Sequence, residues 1–302
     1  MYRGLLTKLP EIRGEYRENF SLAALTWFKV GGAAEVFFKP ADLEDLIFFL
    51  ANTPQDVPVA IIGACSNTLI RDGGIDGVVI KLGRAFANIE LLENNQIRCG
   101  SAALNYNIAQ FCLQNSITGF EFLVGIPGSA GGGIAMNAGA YSREFKDIVL
   151  RVEALDRNGA LHTISNEEVG FSYRKNNLPD GLIFTSVTFR YDVGEKEKIK
   201  ARMDEIVTAR LNSQPVKEKT CGSTFANLPG QHVWKLIDEV GIRGAKVGGA
   251  EISKLHCNFM INTGSATAAD LEALGEIARA KVKTEKGIEL EWEIKRVGKV
   301  VI

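Results

Sequence analysis

Glycine is unevenly spread along this chain: Gly31 and Gly32, Gly63, Gly73 and Gly74, Gly125, Gly128, and Gly131 through 133 all fall in the first half. A residue without Cβ lets the backbone take positive φ or come close to a ligand. The runs between these glycines are short and rich in β-formers: "AEVFFKP", "VPVAIIG", "GVVIKL", "IVLRVEAL" and "LIFTSVTFRYDV". They predict strands. Helices interrupt them at 42–52 ("DLEDLIFFLAN") and 104–115 ("LNYNIAQFCLQN"). In "DRNGALHTI" the pair Asn158-Gly159 predicts a type I′ hairpin, a turn that needs positive φ at both central residues.

The pattern changes at residue 195. "EKEKIKARMDEIVTARLN" sets Ile199, Met203, Ile206 and Leu211 at helical spacing among charges, which predicts a helix joining two domains. A further helix is expected at 231–240, ended by Gly241. Another starts at Thr267, where Asp270 three residues on completes a capping box, and stops near Gly287. "IELEWEIKRVG" predicts a closing strand. The layout is α+β in the N-terminal part and a smaller α/β C-terminal part.

Composition excludes several function classes. At 302 residues, with 46 % hydrophobic and 24 % charged residues and a formal net charge of -1, the chain has a sizeable core and no global field for a polyanion. Nucleic acid is not the expected partner. The five cysteines, Cys65, Cys99, Cys112, Cys221 and Cys257, are scattered and form no C-x-x-C pair, so neither a disulfide framework nor a metal site is expected. No apolar run approaches the roughly 20 residues that span a bilayer. A soluble, cytoplasmic protein is the expectation.

Two small-residue stretches stand out. In "AIIGACSNTLI" an apolar strand runs into Gly63, Ala64, Cys65, Ser66 and Asn67, a turn whose successive N–H groups suit phosphate oxygens or simply connect two strands. It is neither the dinucleotide fingerprint nor a P-loop. "FLVGIPGSAGGGIAMNAGAYSRE" (122–144) holds Pro127, Ser129, Gly132, Asn137 and Tyr141 with almost no charge. As an irregular segment it is expected to lie against a large flat ligand rather than in solvent.

These segments, together with "TWFKVGGAAEVFFKP", "GFSYRKN", "SQPVKEKTCGSTFAN", "GAKVGGAEISKLHCNFMINTGSATAADL" and "IELEWEIKRVG", resemble the UDP-N-acetylenolpyruvoylglucosamine reductases, nearly end to end and in the family's order. The C-terminal half resembles the shorter subtype. The resemblance implies an α+β fold: a FAD-binding domain of the vanillyl-alcohol-oxidase (PCMH) type over 1–200, in subdomains of about 1–82 and 83–200, then a C-terminal α/β substrate-binding domain over 201–302. It also implies non-covalent FAD, NADPH as co-substrate, a small-molecule enol ether as substrate, and a monomer.

The implied roles are specific. Arg174 in "SYRKN" supplies a permanent, forked cation for the substrate carboxylate; read alone it is equally a structural arginine. Glu293, which alternates with Trp292 and Ile294 and by pattern could face solvent, helps hold the enolate. Ser223 in "KTCGSTFAN", by local sequence a turn or cap serine, is the general acid; the intermediate is basic enough that no histidine is needed. Gly63, Ala64, Cys65, Ser66, Asn67, Ser129, Gly132 and Asn137 are implied to line the cofactor. Asn227, Arg243, His256 and Asn258 fall in substrate-side or neighbouring structural segments, and His256 is equally an interior histidine.

Three positions depart from the family pattern. Cys65 replaces the second glycine of G-x-G-S-N, and if that position needs positive φ the cysteine is strained by about 1 kcal/mol or more. Leu228 replaces a common proline and Lys295 a frequent arginine. A flavin oxidase of the same fold is the rival enzyme reading, although none of His162, His232 and His256 lies in either flavin loop for covalent attachment. A non-catalytic sensor is the rival of another class; the presence of all three catalytic residues speaks against it.

Overall fold

The computed structural model describes residues 4–301. The chain divides into two compact units, neither continuous in sequence. The first takes in residues up to Asn19, Glu35–Ala64 and Gly77–Thr208; the second takes in Phe20–Ala34, Cys65–Asp76 and the chain from Ala209 onward. The division falls inside the 18-residue helix Lys196–Ser213. No helix among the described residues is long and apolar enough to cross a membrane.

In the first unit a four-stranded sheet runs in the order Glu15–Ser21, Ala33–Lys39, Ile75–Lys81, Val59–Ile62. Val59–Ile62 and Ile75–Lys81 are parallel, with Ile62 opposite Lys81. The helix Leu43–Asn52 begins because Asp42 accepts the Asp45 N–H, and it buries Leu46, Phe49 and Leu50 against Val36, Phe38, Val78 and Ile80. A second, five-stranded sheet is antiparallel throughout, in the order Leu161–Ser165, Val149–Leu155, Ile183–Arg190, Gln96–Gly100, Ile89–Leu92. Phe120, Phe145 and Phe189 meet edge to face in its core, at centroid separations of 5.5 and 5.9 Å.

The second unit has an antiparallel three-stranded sheet, Lys246–Val247, Ala250–Ile252 and Met260–Asn262, packed with the helices Val233–Glu239 and Ala268–Lys286. A separate parallel pair joins Thr68–Ile70 to Lys295–Val297. The long helix is bounded as its sequence dictates. Thr267 and Asp270 form the reciprocal capping box, and Gly287 ends the helix at φ 69°.

Four sequence expectations are corrected. The hairpin at Asn158-Gly159 exists, but only Gly159 has positive φ (81°). Asp156 spans the loop instead, its carboxylate accepting the N–H groups of Asn158 and Ala160 while its backbone pairs with Ala160. The connection is therefore a three-residue turn with the glycine left-handed, not type I′. Leu211, expected on the buried stripe, is 50 % exposed, because the helix has passed its packing surface after Ile206. The closing strand is shorter than "IELEWEIKRVG": only Lys295–Val297 pair as a strand, preceded by an isolated bridge at Trp292. The 122–144 segment is not irregular. It contains the helix Ala130–Ala135 and the paired strands Gly139–Ala140 and Arg143–Glu144. Its lack of charge follows from burial of Phe122, Leu123, Ile134 and Ala138 in the core.

Removing the Thr267 cap should lower stability by about 1 kcal/mol. Denaturant unfolding of Thr267→Ala checks this, and an unchanged midpoint would show that the cap contributes nothing net.

Candidate active site

The residues singled out by sequence fall into two groups, one in each unit. In the first, Gly63 follows the parallel strand Val59–Ile62, and its carbonyl accepts a 2.8 Å hydrogen bond from Lys81 Nζ at the end of the neighbouring strand. A methyl group built on Gly63 would lie 3.2 Å from Ser129 Oγ, so the two small-residue stretches meet there. Ser129 precedes the Ala130–Ala135 helix, yet its hydroxyl does not cap it.

The three consecutive glycines of that helix are not equivalent. A Cβ on Gly133 would stand 2.1 Å from the Phe145 ring, and one on Gly131 2.9 Å from Ser101 Cβ, so both are glycine for packing. Gly132 is exposed, and the nearest atom to its added Cβ is Ser129 Oγ at 3.8 Å. No neighbouring protein atom demands glycine there; close approach of a ligand would. The 126–131 backbone is held along 101–105, where Ala130 and Gly131 N–H donate to Ala103 and Ser101 carbonyls and Asn105 Nδ2 donates to Ile126. On that strip Ser101 Oγ and Asn105 Oδ1 are buried with no hydrogen-bond partner among the described residues. An exposed glycine surface with unspent polar atoms fits a large planar cofactor carrying its own donors and acceptors.

Asn137 plays a different part from the one its motif position suggests. It is fully buried, and its amide is spent within the protein: Nδ2 donates to Ser172 O (2.9 Å) and Glu144 Oε2 (3.1 Å), and Oδ1 accepts from Lys146 N (3.0 Å). Its side chain braces the loop. Arg174 occupies the second central position of a tight turn closed by reciprocal Ser172 and Lys175 backbone bonds of 3.0 and 3.2 Å. Its φ is 57°, where glycine or asparagine is favoured, so the arginine is held there at a cost of about 1 kcal/mol or more. The guanidinium donates to Gly139 O at 3.2 Å and lies 4.9 Å from the Tyr173 ring centroid.

In the second unit Cys65 has φ 51° and is buried, so the condition the sequence set for strain is met. Its carbonyl accepts from Trp27 N–H and from Cys221 Sγ, the latter at 3.6 Å. Burial pushes the Cys221 thiol up to about 12, so it stays protonated as a donor. Ser66 and Asn67, both half-buried, complete the turn.

Ser223 and Glu293 lie on adjacent extended segments. Glu293 N–H donates to Thr224 O at 2.9 Å, and Ala226 N–H donates to Glu291 O at 2.9 Å. On its other side the Ser223 segment bridges Phe259, and Asn258 locks it: Oδ1 accepts from Phe225 N (3.0 Å) and Nδ2 donates to Phe225 O (2.8 Å). Asn258 is thus a structural brace. Thr220 and Thr224, on either side of Ser223, carry buried hydroxyls with no partner among the described residues.

The remaining predicted contacts are largely committed within the protein. Asn227 Oδ1 accepts from Val233 N–H at the start of its helix. Arg243 grips both carboxylate oxygens of Asp238 (2.8 and 2.7 Å) and also donates to Lys254 O, and its fork holds Asp238 below the usual carboxylate range. His256 packs edge-on to Phe259 at 4.7 Å, and its Nδ1 accepts from Asn258 N–H. Lys81 was missed in the sequence. Its only signal there was one lysine closing the apolar run "GVVIK", which any solvated strand end would share.

Burial, with the Arg243 charge adding to it, pulls His256 below its ordinary value. Above neutral pH both folded and unfolded chains hold it neutral. On acidification the unfolded chain takes up the proton first, near pH 6.5, so stability is lost as pH falls from there toward the folded value. Melting temperature followed from pH 7.5 to 5.5 should decline less steeply in His256→Gln than in the parent; equal slopes would contradict the buried neutral state.

Residues 34–165 match the family model for a FAD binding domain, and residues 214–297 that for the UDP-N-acetylenolpyruvoylglucosamine reductase C-terminal domain. The UDP-N-acetylenolpyruvoylglucosamine reductase of Rickettsia massiliae is 58% identical over 291 residues, covering 96% of this chain and 98% of the relative. The crystal structure of the reductase from Thermus caldophilus superposes with a TM-score of 0.83 at 35% identity, covering 95% of this chain and 100% of that one. The 6-hydroxy-D-nicotine oxidase of Arthrobacter nicotinovorans, at 10% identity and TM-score 0.55 over 96% of this chain and 90% of that one, shares the fold alone. The expected α+β architecture, a FAD-binding domain of the oxidase type with a C-terminal reductase domain, is borne out, and the sensor and oxidase readings fall away. The chain belongs to the UDP-N-acetylenolpyruvoylglucosamine reductase family and carries that family's FAD-binding fold.

Proposed function

We propose that this reductase converts UDP-N-acetylglucosamine enolpyruvate to UDP-N-acetylmuramate in peptidoglycan precursor synthesis, with NADPH as reductant. Residues 1–200 bind the cofactor and 201–302 the substrate, in a cytoplasmic monomer. FAD bound there would supply the hydride for the terminal vinyl carbon, with NADPH as the source of its electrons. Gly63, Ala64, Cys65, Ser66 and Asn67 would hold its pyrophosphate, Lys81, bonded to the Gly63 carbonyl, would add a cation beside that turn, and Ser129 and Gly132 would line it. Asn137 acts through the loop it braces.

The remaining steps belong to the chain's own side chains. Hydride addition makes the vinyl carbon a methyl group and drives an electron pair toward the carbon bearing the carboxylate, giving an enolate. Arg174, always charged, neutralises that carboxylate edge, and Glu293 hydrogen-bonds it. Ser223 Oγ–H delivers the proton to the carbanionic carbon, and solvent returns a proton to the serine. Asn227, Arg243 and His256 are assigned to the substrate side; Arg243 reaches it only by giving up part of its hold on Asp238. The observation that carries this reading is the pairing of the Ser223 and Glu293 segments, which sets a hydroxyl donor and a carboxyl group on neighbouring backbone.

Ser223→Ala should leave flavin reduction by NADPH at its parental rate and slow flavin reoxidation by the enolpyruvyl substrate by roughly 10²–10⁴-fold. Stopped-flow absorbance separates the two half-reactions, and parental reoxidation would sink the serine's role. Gly132→Ala should fold normally, since the added methyl has room and alanine favours the helix. It should weaken FAD binding by roughly 5- to 150-fold, the effect of about 1–3 kcal/mol of overpacking. Titration of the FAD-free protein with FAD checks this; unchanged affinity would place the cofactor elsewhere.

A further inference from the structure

The turn at 65–68 is tied to the segment that carries Glu293. Asn67 Nδ2 donates to Glu293 O at 3.0 Å, and Lys295 N–H returns a 3.0 Å bond to Asn67 O. Immediately beyond, the parallel ladder begins with Thr68 opposite Lys295. Backbone pairing therefore starts one residue too late to hold the Glu293 carbonyl, and the Asn67 side chain extends it by one rung. The Glu293 N–H is meanwhile held by Thr224 O, so both of its backbone polar groups are fixed. Its neighbours are anchored too: the Trp292 indole donates to Glu276 Oε1 at 2.8 Å, and Ile294 is 1 % exposed. What distinguishes the Asn67 tether is its origin, the same turn assigned to the cofactor's pyrophosphate.

We propose that Asn67 is a positioning residue: through its amide it sets the carboxyl group of Glu293 against the substrate and makes that setting depend on the conformation of the pyrophosphate turn. This rests on the role proposed above for Glu293. It departs from the simpler view in which Asn67 serves FAD alone. Cys221 Sγ, 3.6 Å from both Cys65 O and Thr68 O, ties the approach to Ser223 to the same turn. A turn ordered by the cofactor then holds proton donor and carboxyl together.

The test uses the full chain at saturating FAD. Asn67→Ala removes the donor while leaving the Asn67 carbonyl bond; Asn67→Asp keeps the size and also lacks an N–H. Each should slow flavin reoxidation by the enolpyruvyl substrate by about 10- to 100-fold, the scale of a displacement near 1 Å, and by more than it slows NADPH reduction. Hydrogen exchange at the 293–295 amides, measured with and without FAD, should quicken in both variants, a readout independent of turnover. The pair Asn67→Ala with Glu293→Gln should be no slower than Glu293→Gln alone. Variants that only bind FAD more weakly, with parental half-reactions at saturation and unchanged exchange at 293–295, overturn the positioning role. If Glu293→Gln itself leaves reoxidation untouched while exchange still quickens in the Asn67 variants, the tether is real, but it is the glutamate's role that has failed and the positioning role falls with it.

Discussion

The second unit depends on one long-range pairing, that of Thr68–Ile70 with Lys295–Val297. Three residues on each side meet across most of the chain's length. Closing so long a loop costs more entropy than three backbone rungs return. The side chains around the pair make up the difference. Arg71 grips both oxygens of Glu272 (3.0 and 2.8 Å), which holds that carboxyl below its usual range, and Arg296 bonds Glu272 and Glu276 while stacking 4.5 Å from the Trp292 ring. Asp72 accepts the first N–H groups of the Ala268–Lys286 helix, at 3.0 and 2.9 Å. Several half-exposed charges acting as a network are worth more than the same pairs alone. Leu69 and Ile70, both fully buried, add the apolar part.

Left-handed backbone falls on two residues to which chemistry is assigned, and also on Lys29, Ser116, Tyr141 and Ser142, to which none is. Cys65 and Arg174 both stand in the left-handed region without being glycine or asparagine. Each is over-determined by its surroundings: Cys65 by the bonds to its carbonyl, Arg174 by the reciprocal bonds of its turn. Glycine at either position would relieve the backbone. The Cys65 side chain is buried, so the departure from the expected glycine becomes a packing contact. Arg174, at the tip of its strained turn, donates to Gly139 O and lies over the Tyr173 ring.

A shared fold supports different chemistries because the cofactor strip and the reacting groups lie on separate parts of the chain. The proposed cofactor strip, with exposed Gly132 beside buried Ser129 and the orphan polar atoms of Ser101 and Asn105, does not by itself say what a flavin there would reduce. Under the proposed function, Ser223 and Glu293, with Asn258 and Asn67 bonded to their segments, are the part that a reductase of an enol ether needs and an alcohol oxidase does not.

Much was legible in the sequence. Local rules placed the capped helix from Thr267 to Gly287, the helices Leu43–Asn52 and Asn105–Gln114, and the strands Ala33–Lys39, Val59–Ile62, Ile75–Lys81, Val149–Leu155 and Ile183–Arg190, because capping, periodicity and β-branched runs act over a few residues. Motif order identified the family and nominated Ser223, Arg174 and Glu293. What the sequence could not decide depends on neighbours remote along the chain. Whether a glycine serves packing or a ligand is set by what faces it: Phe145 at Gly133, nothing nearer than 3.8 Å at Gly132. Asn137, Asn258 and Asn67 read alike as motif asparagines, and only tertiary structure shows each spending its amide on a different segment. The positive φ of Cys65 and the short reach of the closing strand go with hydrogen bonds to segments remote in the chain, whereas the Asp156–Ala160 loop was set by a local Asp156 side chain that competed with the turn dipeptide. Periodicity and caps are local and so can be read off the chain; the spending of each polar group is a property of the packed whole.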